Sequence, residues 1–199
     1  PAGGEEQRQQ SAAGRQQDAR KQQGQLPRRH DAQHEPSADT GGGGETGAAY
    51  LFERDGRDWS EQAKVVPADI EGEGGFGTAT ALSDEVALVG APYDDDVAPA
   101  AGSAYVYERD AGGLQRQAKL RPPEDSYLTT FGLSTALDGE TALVGAPTVQ
   151  DPDDQSGAAY AFDRGDGDWS SRTELRLEDG GSMDRFGWAV HRLDEVVQN

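Results

Sequence analysis

The side chains of this chain that could do chemistry are almost all carboxylates. Asp94, Asp95 and Asp96 form one run, and Asp151, Asp153 and Asp154 form another. Clustered carboxylates can supply the oxygen shell of a divalent cation, calcium above all, or a pocket for a cationic ligand. Their spacing follows no EF-hand pattern, and it favours the competing reading of a solvated acidic loop on an acidic protein. A third cluster, Asp163-Arg164-Gly165-Asp166-Gly167-Asp168, contains an Arg-Gly-Asp tripeptide. The comparable stretches Asp55-Gly56-Arg57-Asp58 and Asp110-Ala111-Gly112-Gly113 share its turn residues but not the tripeptide, which favours a plain hairpin turn. Gly72-Glu73-Gly74-Gly75-Phe76-Gly77 spells G-x-G-x-x-G, yet a strand rather than a helix should follow it, so a phosphate site is not expected.

The rest of the catalytic inventory is thin. His191 is the only histidine after residue 43, there is no cysteine, and no G-x-S-x-G, H-E-x-x-H or P-loop occurs. Carboxylate pairs able to act on a glycoside are not ruled out by counting, but nothing sets two of them opposite a substrate. The sequence therefore assigns no catalytic residue and no cofactor; calcium at the acidic runs is the one cofactor reading it leaves open.

The elements that would position these groups come from two unlike compositions. Residues 1–43 carry six basic and six acidic side chains, are rich in Gln, and hold Leu26 as their one large apolar residue. Such a segment cannot bury a core and is expected to be disordered. A polar helix near Gln16–Gln25 and a mis-assigned start are its alternatives. The remainder carries the whole net charge of −19, with Lys64 and Lys119 as its only lysines. Phosphate backbones and anionic membranes need basic patches, so nucleic-acid binding is not expected. A dense carboxylate surface fits a halophilic source, where salt screens self-repulsion, or an acidic extracellular protein. No apolar run approaches the roughly 20 residues of a membrane span, and no signal peptide is visible.

A period of 55 residues organises the remainder. Phe-Gly stands at Phe76-Gly77, Phe131-Gly132 and Phe186-Gly187; Gly-Ala-Pro stands at Gly90-Ala91-Pro92 and Gly145-Ala146-Pro147; Gly-x-Ala-Tyr ends at Tyr50, Tyr105 and Tyr160. Trp59, Leu114 and Trp169 share one phase. Each unit reads as four short strands. The first starts at Phe-Gly, and a tight turn follows at Ser83-Asp84-Glu85 or Asp138-Gly139-Glu140. The second (VALVGAP, TALVGAP) is apolar on successive residues, hence buried on both faces, and its proline ends it. The third contains Tyr105 or Tyr160. The fourth alternates apolar and polar residues, as an edge strand does.

Inner strands buried on both faces and a half-exposed outer strand describe the blade of a β-propeller. The fold class expected is all-β: a β-propeller fragment of four-stranded antiparallel blades. Residues 44–75 supply strands three and four of one blade, 76–130 and 131–185 are full blades, and 186–199 begin another. Closure takes about four to eight blades, so a longer propeller, or blades from another chain, is expected to complete it. The recurring aromatics are read as packing sites and the glycines as places of close approach.

These markers resemble the FG-GAP repeat family, which includes the propellers of integrin α subunits. The likeness covers residues 44–199 and is nearest to the bacterial and archaeal form. It implies part of a seven-bladed propeller from a secreted or surface-attached protein, with a role in adhesion or ligand binding. Many members carry an Asp-x-Asp-x-Asp-Gly-x-x-Asp calcium loop between Phe-Gly and Gly-Ala-Pro. Tight turns fill that space here, so the family's calcium sites do not transfer.

The function expected is a non-enzymatic extracellular or cell-surface binding and adhesion module. Its partner would be a protein or glycan, met by the variable loops Tyr93–Ala101 and Thr148–Ser156 at one end of the propeller. The alternatives are the propeller domain of a larger secreted hydrolase, or a truncated product without function.

Overall fold

A computed structural model of the chain describes residues 30–33, 46–70, 73–111, 113–123, 128–148, 156–181 and 184–191. Those residues contain no helix and eleven strands in three antiparallel sheets. The first sheet holds β1 (His30–Gln33), β2 (Ala49–Asp55) and β3 (Asp58–Val65). The second is β4 (Thr80–Ser83), β5 (Val86–Ala91), β6 (Ser103–Asp110) and β7 (Gly113–Leu120), in chain order. The third repeats it with β8 (Ser134–Asp138), β9 (Thr141–Ala146), β10 (Ala158–Gly165) and β11 (Asp168–Leu175). This is the four-stranded unit read from the 55-residue period, and the fold is all-β and propeller-like.

Burial follows the chemistry of each strand. Every residue of β5 is buried, as its unbroken apolar run demands. β3 is mostly exposed, as an outer strand should be. Ala91 and Ala146 end their strands directly before Pro92 and Pro147, which bring no N–H to a ladder. Gly139 and Asp84 occupy the same turn position and both take positive φ, 53° and 49°. Asp84 therefore sits where glycine costs nothing, and Asp84→Gly should stabilise the fold by about 0.5–1 kcal/mol, read as a raised Tm.

Two expectations need correction. Phe-Gly does not begin a strand: Phe76 and Phe131 make isolated parallel bridges to Gly47 and Gly102, and β4 and β8 start only at Thr80 and Ser134. The dipeptide is instead the link between neighbouring sheets. The Phe76 N–H donates to the Thr46 carbonyl at 2.9 Å and the Phe131 N–H to Ala101 at 3.1 Å. The following glycine turns the chain at positive φ (92° at Gly77, 95° at Gly132). Phe186 repeats the link, with Gly157, and residues 188–191 that follow it form no strand.

The second correction concerns residues 1–43. Within that segment, His30–Gln33 forms β1 and pairs antiparallel with β2, His30 opposite Glu53 and Gln33 opposite Tyr50. In the next blade the partners of Glu108 and Tyr105 are Val86 and Val89 of β5. A polar stretch thus takes the second-strand place of the first blade. Ladder hydrogen bonds come from the backbone, so pairing an open edge needs no apolar side chain. The other residues of 1–43 lie outside those described.

The sheets stack through their aromatics. Phe131 is fully buried and belongs to one core cluster with Leu88 and Val106 of its neighbour and Val144 and Tyr160 of its own blade. It meets Tyr160 at 5.4 Å and stands edge-on to Phe162 at 6.0 Å. Phe76 repeats this against Tyr105 at 5.4 Å. Phe131→Leu keeps most of the apolar volume but loses these ring contacts. It should cost about 1–2 kcal/mol in chemical denaturation; no change would remove the ring from the core.

Candidate functional site

The loop Tyr93–Ala101, between β5 and β6, was expected to be solvated or to hold a cation. It is not a free acidic loop, for its carboxylates are held by donors of the protein itself. Asp94 is 3% exposed. It accepts hydrogen bonds from Ser103 Oγ at 2.6 Å and Tyr105 OH at 3.3 Å, and it pairs with Lys119 Nζ at 2.8 Å. Asp95 Oδ1 accepts from the Ala100 N–H at 2.7 Å. Asp96 binds Arg121 Nε at 2.6 Å and Lys119 Nζ at 3.1 Å. All three carboxylates are committed to internal donors, and Asp94 and Asp96 share Lys119. Among the described residues no three acidic or histidine side chains gather as a metal site. Asp151, Asp153 and Asp154 lie outside the described residues, as does Gly72 of the glycine-rich stretch. His191 is exposed.

Lys119 is the hub. Burial works against its ammonium, but hydrogen bonds to Asp94, Tyr105 and Asp96 outweigh that and raise its pKa. The Arg121 hydrogen bond, opposed by partial burial and aided by Lys119, holds Asp96 below its usual range. Burial chiefly pushes the Tyr105 and Tyr107 phenols up to about 12. A raised phenol pKa means that the folded state holds protons the unfolded chain has released. Stability should therefore be intact below pH 10 and fall between about pH 10 and pH 12, by about 2 kcal/mol per phenol. Denaturant titrations across that range check it; a flat profile would place both phenols in water.

The Arg-Gly-Asp tripeptide sits at the β10–β11 hairpin, with Asp166 at φ 49°. Its arginine is committed: Arg164 Nη2 pairs with Glu108 of the neighbouring blade at 3.2 Å. One blade earlier, Arg109 pairs with Glu53 at 3.4 Å. The sequence reading missed this repeated staple. Its signal was the Glu-Arg of β2 and β6, which recurs with the period but points across blades.

A cleft of about 510 Å³ opens between the two full blades, beside the Tyr93–Ala101 loop. Val97 of that loop, Leu120 and Pro122 at the end of β7, and Phe162 and Trp169 of the next blade give it apolar walls. Lys119, Arg121 and Arg172 give it charge. Trp169 is 4% exposed and its indole N–H has no hydrogen-bond partner. An orphaned buried donor costs roughly 1–3 kcal/mol, so it marks a place where the fold leaves something unmet. Trp59, one period earlier, is 45% exposed. Equal phase thus did not mean equal surroundings, and this cleft was not foreseen.

The turns, stapled sheets and Phe-Gly links together describe one repeating unit. The family model described as FG-GAP repeat matches residues 59–107 and 114–162. No curated protein matches the chain. Each matched stretch runs from the outer strand of one blade through the first three strands of the next, so each spans a Phe-Gly link. The chain belongs to the FG-GAP repeat family.

Proposed function

We propose that this chain is a non-enzymatic binding module, serving adhesion or ligand capture outside the cell or at its surface. The observation that carries this reading is the contrast between scaffold and loop. β4–β7 and β8–β11 repeat one another strand for strand, while the Tyr93–Ala101 loop is anchored by its own Asp94–Lys119 pair and lends Val97 to a cleft. The position equivalent to Lys119 in the next blade is Glu174, which accepts from the Tyr160 hydroxyl at 2.9 Å. A constant frame with individually fixed loops is the arrangement of a recognition surface. The family likeness supports an extracellular setting. Further blades, from the same or another chain, are the expected neighbours of the outermost sheets.

The test is capture of soluble extracellular proteins and polysaccharides on the immobilised protein. It is repeated with residues 95–100 replaced by a Gly-Ser linker of equal length, which spares the Asp94 anchor. The reading expects a ligand retained by the parent and released by the replacement, with Tm unchanged. Retention that ignores the loop, or no retention at all, counts against it. Shortening of a retained polysaccharide would make the module an enzyme instead.

A further inference from the structure

We infer that the cleft between the two full blades is a binding site for a carboxylate carried on a small ring, such as a uronic acid unit. The inference deepens the binding-module reading and rests on it. Its basis is the donor balance of the cleft. Lys119, Arg121, Arg172 and Trp169 supply its polar side-chain groups, and all four side chains donate hydrogen bonds without accepting any. Among the described residues none that lines it is acidic, although the chain carries 37 acidic residues against 18 lysines and arginines.

Two of these donors have partners already and two do not. Lys119 and Arg121 are held by Asp94 and Asp96. Arg172 is exposed, lies over the Tyr160 ring at 5.9 Å, and has no carboxylate partner among the described residues. The Trp169 N–H is buried and unpartnered. A ligand that brings acceptor oxygens therefore meets an exposed guanidinium at Arg172. A planar carboxylate matches the guanidinium in two parallel hydrogen bonds. Phe162, Pro122 and Val97 offer the apolar walls against which a ring can pack its C–H face. The cleft volume is that of a small-ligand site, and holds a ligand of one or two rings.

The experiment uses the full chain with Trp59→Phe and Trp188→Phe, which leaves Trp169 as its one tryptophan. Glucuronate, glucose and acetate are titrated at constant ionic strength, following Trp169 emission and, independently, heat by calorimetry. Saturable binding of glucuronate is expected, with glucose silent and acetate at least about tenfold weaker. Arg172→Gln should weaken glucuronate binding about tenfold or more while leaving Tm in place. Trp169→Phe, read by calorimetry, should weaken it too. Equal responses to all three probes, no heat with glucuronate, or an Arg172→Gln protein that binds as the parent does would each overturn the inference. The loop-dependent capture described above is scored separately. If capture holds and glucuronate fails, this cleft is not the site and the binding-module reading stands; if capture fails while glucuronate binds, the cleft stands without that role.

Discussion

Gly90→Ala should destabilise the protein by about 4 kcal/mol or more. A Cβ at Gly90 would lie 1.9 Å from the Gly132 carbonyl oxygen and 2.9 Å from its carbonyl carbon. Both atoms are backbone, so no side chain can swing away. Gly90 is the penultimate residue of the second strand of one blade, and Gly132 belongs to the Phe-Gly link of the next. The methyl group would therefore push two blades apart along the seam that Phe131 and the Phe131-to-Ala101 hydrogen bond close. Gly145→Ala meets Gly187 in the same way, again at 1.9 Å. Gly56→Ala is the control, because nothing lies within 4 Å of its Cβ position; its φ of 63° alone should cost about 1 kcal/mol. Chemical denaturation of the three variants separates seam from strain. Equal losses at Gly90 and Gly56 would mean that the glycines serve only backbone conformation.

That seam explains what the repeat carries. Phe-Gly meets Gly-Ala-Pro twice: within its own blade the Gly77 and Gly132 N–H groups donate to the Gly90 and Gly145 carbonyls at 2.9 and 3.0 Å, and it also reaches across to the neighbouring blade. Gly132 and Gly187 face the Gly-Ala-Pro glycines Gly90 and Gly145 of the preceding blade, and Phe76, Phe131 and Phe186 bridge to the glycine of Gly-x-Ala-Tyr. Small residues mark where backbones touch, and aromatics fill the space beside them.

Much of this was legible from residue spacing. The 55-residue period located strands two, three and four of each full blade, because their burial pattern depends on position within a blade. Phe76 and Phe131, read as packing residues at the start of a strand, are buried but precede the strand. Spacing gives their phase, while the positive φ of Gly77 and Gly132 that turns the chain there depends on the neighbouring blade. Contacts between blades were the least legible. Arg109 with Glu53 and Arg164 with Glu108 join residues 56 apart, and their meeting depends on how one sheet twists over another. Asp94 was read as one of three equivalent loop carboxylates. The hint that it was not lay elsewhere, in the rarity of lysine: Lys64 and Lys119 stand one period apart and lie over Tyr50 and Tyr105, at 5.5 and 5.2 Å. Nor could composition reveal that His30–Gln33 pairs with β2, since ladder hydrogen bonds come from the backbone.

Replacing Lys119 by Met should cost about 3 kcal/mol, and the reason bears on how the cleft is built. The methionine fills the apolar part of the lysine stem, so the loss is chiefly electrostatic. Asp94 keeps Ser103 and Tyr105 as donors but loses the cation at 2.8 Å, and it is 3% exposed. An uncompensated carboxylate in such surroundings is more costly than the intact pair is stabilising. The sign of the remedy follows. Asp94→Asn in the Lys119→Met background removes the stranded charge, and should recover about 1–2 kcal/mol, although Asp94→Asn alone destabilises. If the double variant is no more stable than Lys119→Met, the loss is one of packing. If it recovers, the Asp94–Lys119 pair is a registry device that ties the β5–β6 loop to the end of β7. Val97 and Arg121 owe their places on either side of the cleft to that tie.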